Sequence, residues 1–195
     1  MKNKSVNTDY KWIIHITIIT FFLASFLNFF SDIALKKSGI LIAFFILGFI
    51  VIIGIIFEII GTAVISGEEE SFHSMAARKV YGAKQAIKLL RNANLVASFC
   101  YDLIGDISAI ISGAALISII IKFNFSGTQA SIYTAILGGL LSSIIIGGKA
   151  IAKSIGMLKS QLIIYWTAVI LEWIEINLRI KVLPDYKNNN RKKRK

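Results

Sequence analysis

The chain has 195 residues, of which 55% are hydrophobic and 17% are charged, and its mean hydropathy is +0.69. Because soluble domains carry about 25% charged residues, this composition argues against a soluble globular protein and predicts an all-α membrane protein. The net charge of +11 is concentrated in the start, in one internal stretch and in the tail, which is typical of cytoplasmic anchoring and not of nucleic-acid recognition.

Residues 12–30 form the first of five apolar runs and follow a basic start. The run is longer than the ~7–15 apolar residues of a signal peptide, and no small-residue cleavage site follows it. We therefore expect residues 1–38 to contain a retained N-terminal membrane helix. The second run, residues 39–67, exceeds the ~20 residues that span a bilayer, so its helix should tilt or extend beyond the lipid.

A basic amphipathic stretch, residues 76–92, separates the second apolar run from the third. Its spacing predicts a surface helix with an apolar face and an opposite basic face. The apolar face holds Val80, Ala83, Ile87 and Leu90, and the basic face holds Lys84, Lys88 and Arg91. The third and fourth runs, residues 95–121 and 130–148, complete four predicted spans.

Small residues recur every four positions on the third and fourth spans. The two stripes are Gly105, Ala109 and Gly113 on one span, and Gly139, Ser143 and Gly147 on the other. Stripes of this kind let helix backbones approach closely in lipid. We therefore predict two packing faces, which serve either within the chain or in a homodimer.

The fifth run, residues 162–182, differs from the others because charged residues interrupt it. Glu172, Glu175 and Arg179 are spaced by three and four, so they share one helical face. A spanning fifth helix would place the basic tail, residues 183–195, outside, against the positive-inside rule. We predict a polytopic bundle of four spans plus one in-plane juxtamembrane helix, with both termini cytoplasmic; five spans are the alternative.

Carboxylates inside the apolar runs are the candidate functional groups, because charge is costly in a bilayer and marks ion or substrate paths. Glu58 lies near the predicted cytoplasmic end of the second run. Asp102 and Asp106, four residues apart, lie near the cytoplasmic start of the third. Since carboxylate and hydroxyl oxygens are ligands of hard cations such as Mg²⁺, these residues predict, with Ser98 nearby, a divalent-cation site.

A structural role for the same carboxylates is the alternative on the residues alone. In that case they pair with Lys149, with Lys153 or with the basic stretch instead of holding a cation. The sequence has no nucleophile elbow, phosphate loop or HExxH helix, so we predict neither catalysis nor a cofactor besides a bound cation. Cys100 is the only cysteine, which excludes an intrachain disulfide framework.

Three parts of the sequence resemble the membrane domain of the cyclin M / CorC (CorB) family of magnesium transporters. In the first part, Ala86–Leu90 aligns with the family's ALKLL-like motif, and Ile104–Asp106 aligns with its IGN motif. Gly148–Lys153 stands where the family has GExxPK, and Glu58–Ser66 where it has SxSETAxxS. The resemblance covers about residues 39–182 and implies one Mg²⁺-binding membrane domain that forms homodimers.

Several motif positions differ from the family pattern. Glu58 and Gly61 stand where the family's first span has Ser and Glu, and Asp106 replaces Asn. Lys149 replaces the Glu of the later motif and would be a charge partner. The expected cation ligands are Glu58, Asp106, Asp102 and Ser98.

Two functions follow from this comparison. The first is a protein that binds and transports a divalent cation, Mg²⁺ foremost, across a prokaryotic cell membrane. In the second, Lys149 occupies the cation position in a non-transporting membrane scaffold or interaction subunit.

Overall fold

The computed structural model describes residues 10–123 and 127–178 together with Leu183. All regular elements of these residues are helical. They are α1 (Tyr10–Lys37), α2 (Ile40–Ser66), α3 (Glu70–Ala77), α4 (Ala83–Arg91), α5 (Ala93–Ser98), a π-helix (Phe99–Gly105), α6 (Asp106–Lys122), α7 (Gly127–Leu158) and α8 (Ser160–Leu178). The basic start, Arg179 and the tail after Leu183 lie outside the described residues, so the predictions made for them stay predictions.

Four helical stretches are long and apolar enough to cross a membrane. They are Thr17–Leu35 in α1, Ile40–Ser66, Ala93–Lys122 from α5 through α6, and Gly127–Leu158. This confirms the predicted all-helical fold with four long apolar helices. Within the described part of the chain, α8 is not among the helices that are long and apolar enough to cross a membrane, and its predicted in-plane position stays a prediction.

Helix α2 is the centre of the bundle and packs on α5, the π-helix, α6, α7 and α8. It approaches α7 closely at Gly156, where an added Cβ would lie 2.7 Å from Thr62 Cβ. A Cβ on Gly148 would likewise lie 2.5 Å from Ile55 Cδ1. Glycines therefore fix the distance between the two helix axes.

The predicted stripe on α7 does not make this contact. A Cβ added at Gly139 or Gly147 would meet nothing within 4 Å, and Ser143 is exposed. The packed face of α7 is instead the one that carries Gly148 and Gly156. Nothing in the described chain covers the predicted stripe, which leaves it facing lipid or a second copy.

The predicted amphipathic helix over residues 76–92 is helical mainly as α4, Ala83–Arg91, and its first residues belong to the end of α3 and to a turn. Lys79 and Gly82 both have positive φ, 57° and 83°, which ends α3 and starts α4 in a new direction. The buried side chains of α4 are those of Ala83, Gln85, Ala86 and Leu89. Ile87 and Leu90 of the predicted face are half-buried and pack against the core that contains Leu89. The contact of α4 with α8 also includes Gln85, which the prediction did not place on this face.

Large apolar side chains cover the outside of the long helices. On α1 and α2 alone, Phe21, Phe22, Phe26, Phe29, Phe45 and Phe49 are more than half exposed. Monomeric soluble proteins rarely expose apolar patches of this extent, whereas the same surface is stable against lipid. The chain is therefore an integral membrane protein in contact with the bilayer.

Candidate functional site: a charge cluster between α2, α6 and α7

Glu58 is the most deeply buried charged side chain of the described residues, with 4% of its surface exposed. It lies in α2, two turns before the helix ends at Ser66. Its Oε1 atom is 3.7 Å from the Nζ atom of Lys153 on α7, whose side chain is 59% exposed. A buried carboxylate needs a compensating charge, and at this distance Lys153 supplies it loosely.

Asp106 is the first residue of α6 and forms the second ion pair of the cluster. Its Oδ1 atom lies 3.3 Å from Lys149 Nζ, and the two side chains are 65% and 26% exposed, respectively. The motif resemblance predicts Lys149 to be a charge partner, and here Lys149 is paired with Asp106. Lys149 and Lys153, one turn apart, each meet one carboxylate.

Gly105 connects the two ion pairs. A Cβ at this position would lie 3.6 Å from Lys149 Nζ and 3.8 Å from Glu58 Oε2. Both charged groups therefore lie within van der Waals distance of this position at the end of the π-helix. The π-helix itself, Phe99–Gly105, is of a type often found at functional sites.

The other predicted ligands contribute less in this arrangement. Ser98 is half-buried at the end of α5. The side chain of Asp102 lies outside the described residues, so its predicted role as a ligand stays a prediction. Among the described residues no three His, Cys, Asp or Glu side chains come together as a metal-binding group.

Tyr101 is a member of the cluster that sequence reasoning missed. Its hydroxyl donates a hydrogen bond to Thr62 Oγ1 at 2.9 Å. A Cβ at Gly61 would lie 2.8 Å from Tyr101 Cε1, so the ring covers the face of α2 beside Glu58. An aromatic residue in an apolar run gives no signal of this role, because the π-helix that orients it is not visible in the sequence.

The space beside the charge cluster is small. A cavity of about 10 Å³ lies between Gly54, Ser108 and Lys149, which is about the minimum for the centre of one water molecule. Mg²⁺ usually keeps several of its waters. A hydrated cation would therefore enter only after a lysine side chain moves away.

A second polar cluster joins α4 to α8. The backbone N–H of Gly82 donates to Glu172 Oε2, and Gln85 Nε2 donates to Glu175 Oε2. The two carboxylates that interrupt the fifth apolar run thus bind the amphipathic helix. This contact gives both carboxylates of α8 a hydrogen-bond donor from the α4 region.

Glu69 forms a third polar group beside α4. Its Oε2 atom is 3.2 Å from Arg91 Nε and 3.2 Å from His73 Nε2. These side chains are largely exposed and tie α3 to the end of α4. The side chain of His15, the other histidine, lies outside the described residues.

Comparison with known proteins gives no family for this chain. No family model, curated protein or solved structure matches it. Its function is therefore argued from the membrane helices and from the charge cluster at Glu58.

Proposed function

We propose that this membrane protein binds a divalent cation, with Mg²⁺ foremost, at the carboxylate of Glu58. The observation that carries the proposal is the burial of Glu58 at 4% exposure with only a 3.7 Å contact to a mostly exposed lysine. A carboxylate in a membrane helix is costly, and such residues commonly mark ion paths. A cation that displaces Lys153 would satisfy Glu58 more fully.

The places of the three family-like motifs support this proposal. Glu58 starts one motif, Ile104–Asp106 is the second, and Gly148–Lys153 is the third. They lie far apart in the chain, yet Glu58, Gly105 and Lys149 meet at one point of the bundle. Charged groups in membrane helices are commonly placed facing one another inside a bundle, and this meeting point is the place that we propose for the cation.

A non-transporting scaffold is the second candidate function. It is favoured by the Lys149–Asp106 ion pair at 3.3 Å and by the small cavity beside it. Tyr101 also packs against Gly61, where the related family has a glutamate. In the scaffold, the two lysines are permanent substitutes for a metal ion, while in the cation-binding protein they define the resting state.

Mg²⁺ titration of the thermal unfolding temperature tests the proposal. Saturating Mg²⁺ at about 100 times its Kd should stabilise the wild type by about 2.7 kcal/mol through mass action. The Glu58→Gln variant should lose this gain, because the neutral amide is a much weaker ligand. As a control, Glu70→Gln removes an exposed carboxylate of α3 and should leave the titration unchanged.

Either of two results would contradict the proposal. If Mg²⁺ does not stabilise the wild type, the scaffold is favoured. If Glu58→Gln keeps the full stabilisation, the cation binds elsewhere and the assignment to Glu58 is wrong.

We further propose that both termini face the cytoplasm and that α8 lies in the membrane plane. The polar contacts of Glu172 and Glu175 with α4 support this, since a surface helix and a spanning helix would not share such contacts along their length. The proposed location is a prokaryotic cell membrane. The exposed stripe on α7 is consistent with a homodimer.

Labelling of single cysteines from one side of the membrane tests the four-span topology. In a Cys100→Ser background, Lys159→Cys lies between α7 and α8, and Asn189→Cys lies in the tail. With α8 in the plane, a membrane-impermeant maleimide should label both positions from the same side. Labelling of the two from opposite sides would establish five spans.

A further inference from the structure

An apolar cavity of about 380 Å³ lies between α2, α4, α5, the π-helix and α8. This volume is within the range of small-ligand pockets, roughly 300–1,000 Å³. Aliphatic and aromatic side chains form most of its lining, among them Phe57, Ile60, Leu95, Phe99, Ile170 and Ile174. It is separate from the charge cluster, which lies on the α7 side of α2.

The few polar groups of this lining offer nothing to a polar ligand. The hydroxyl of Thr167 donates to the backbone oxygen of Ile163 at 2.8 Å, one turn earlier in α8. Cys100 contributes a thiol, which is a weak hydrogen-bonding group. The occupant is therefore a hydrocarbon group, because a polar one would lose its hydration without gaining partners.

The α4 side of the cavity carries more basic than acidic residues, although Glu172 and Glu175 of α8 bind at this helix and Arg91 is ion-paired with Glu69. Residues 76–100, which include α4 and α5, carry five basic residues and no Asp or Glu. Leu89 of α4 lines the cavity, and its neighbours Lys88 and Arg91 stand on the same short helix. Basic segments beside membrane helices attract anionic lipid headgroups.

The chain's own tail is a poor occupant. Leu183 already lies in the cavity wall and is 5% exposed. The residues printed after it, PDYKNNNRKKRK, include no Leu, Ile, Val, Met or Phe. The bilayer, in contrast, supplies hydrocarbon chains at this depth.

We propose that this cavity holds an acyl chain of an anionic phospholipid whose headgroup lies against the basic side chains of α4. The acyl chain enters between α8 and α5, and the bound lipid thereby holds α8 against the bundle. This inference does not depend on the cation site.

Lipid retention after purification tests the proposal. The protein is reconstituted into vesicles of equal parts phosphatidylglycerol and phosphatidylcholine, extracted in a neutral detergent, and analysed by native mass spectrometry. The wild type should retain one phosphatidylglycerol per chain in preference to phosphatidylcholine. Thr167→Phe should retain about tenfold less, as expected when a bulky side chain overfills a packed site.

A matched control uses a second threonine of the same kind. Thr134 of α7 also donates to the carbonyl four residues earlier, at 2.8 Å, but its side chain is exposed. Thr134→Phe should retain as much phosphatidylglycerol as the wild type. If Thr167→Phe does not fold, Thr167→Leu compared with Thr134→Leu decides in the same way.

Three results would overturn the proposal. Equal retention by the Thr167 and Thr134 variants would mean that the lipid binds elsewhere. Equal retention of the two lipids by the wild type would remove the role of the basic helix. Retention of no lipid, with a second copy of the chain cross-linked to α8, would assign the cavity to a protein interface.

Discussion

Replacing Lys153 by methionine is expected to destabilise the protein by about 1–3 kcal/mol and to make it depend on Mg²⁺. The substitution removes the only charge within 4 Å of the Glu58 carboxylate among the described residues. Loss of one partner of a fully buried pair costs about 3–5 kcal/mol. Because Lys153 is 59% exposed and exposed charges are screened by solvent, we expect a smaller effect. Thermal unfolding in detergent measures it.

The cation dependence of this variant separates the two proposed functions. If the lysine defines a resting state, Mg²⁺ no longer competes with it and should stabilise Lys153→Met more than the wild type. If the chain is a scaffold, Mg²⁺ should leave the variant unstable. Lys159→Met is the control, since Lys159 is exposed just after α7, and it should match the wild type in both respects.

A double substitution checks that the effect passes through Glu58. Glu58→Gln removes the charge that Lys153→Met leaves uncompensated, so the double variant should recover part of the lost stability. The coupling free energy from such a cycle isolates the pair. Additive losses would show instead that Lys153 stabilises the protein through another contact.

The spans of this protein are predictable because hydropathy alone determines them. The expected run of residues 39–67 differs by one residue at each end from α2, Ile40–Ser66. The fourth run is shorter in the prediction, residues 130–148, than α7, which ends at Leu158. Lys149 and Lys153 follow the apolar run, and the helix continues through them because lysine is a good helix former and both side chains contact carboxylates of the bundle.

The faces of the helices are not predictable in the same way. Lipid is as apolar as leucine, so apolarity does not distinguish a lipid-facing side from a packed one. The prediction therefore chose the stripe through Gly139 and Gly147, whereas Gly148, the next residue, makes the contact with α2. A shift of one residue turns a helix by about 100°, which is enough to exchange the two sides.

Part of the charge cluster is recognisable in the sequence, because charged side chains stand out in or beside apolar runs. Glu58, Asp106 and Lys149 are unusual residues in apolar runs, and the structure brings them to one region around Gly105. The prediction that Asp102 and Asp106 share one helical face assumed a continuous α-helix. Residues Phe99–Gly105 form a π-helix instead, and no local sequence pattern predicts a π-turn.

Substitution of Gly156 by alanine is expected to destabilise the bundle by about 1–3 kcal/mol, the usual cost of overpacking. The new Cβ would lie 2.7 Å from Thr62 Cβ and 2.9 Å from the backbone oxygen of Ile59. Backbone cannot move aside as a flexible side chain can, so α7 would have to shift away from α2. The thermal unfolding temperature in detergent should fall.

The same substitution at Gly139 is expected to have the opposite sign. A Cβ there would meet nothing within 4 Å, and alanine in a helix is favoured over glycine by about 0.5–1 kcal/mol. The unfolding temperature should therefore rise slightly.

Because α7 carries Lys149 and Lys153, a shift of this helix in Gly156→Ala should also weaken both ion pairs and alter the Mg²⁺ titration. Equal effects at Gly139 and Gly156 would mean that the close contact between α2 and α7 does not hold the charge cluster together.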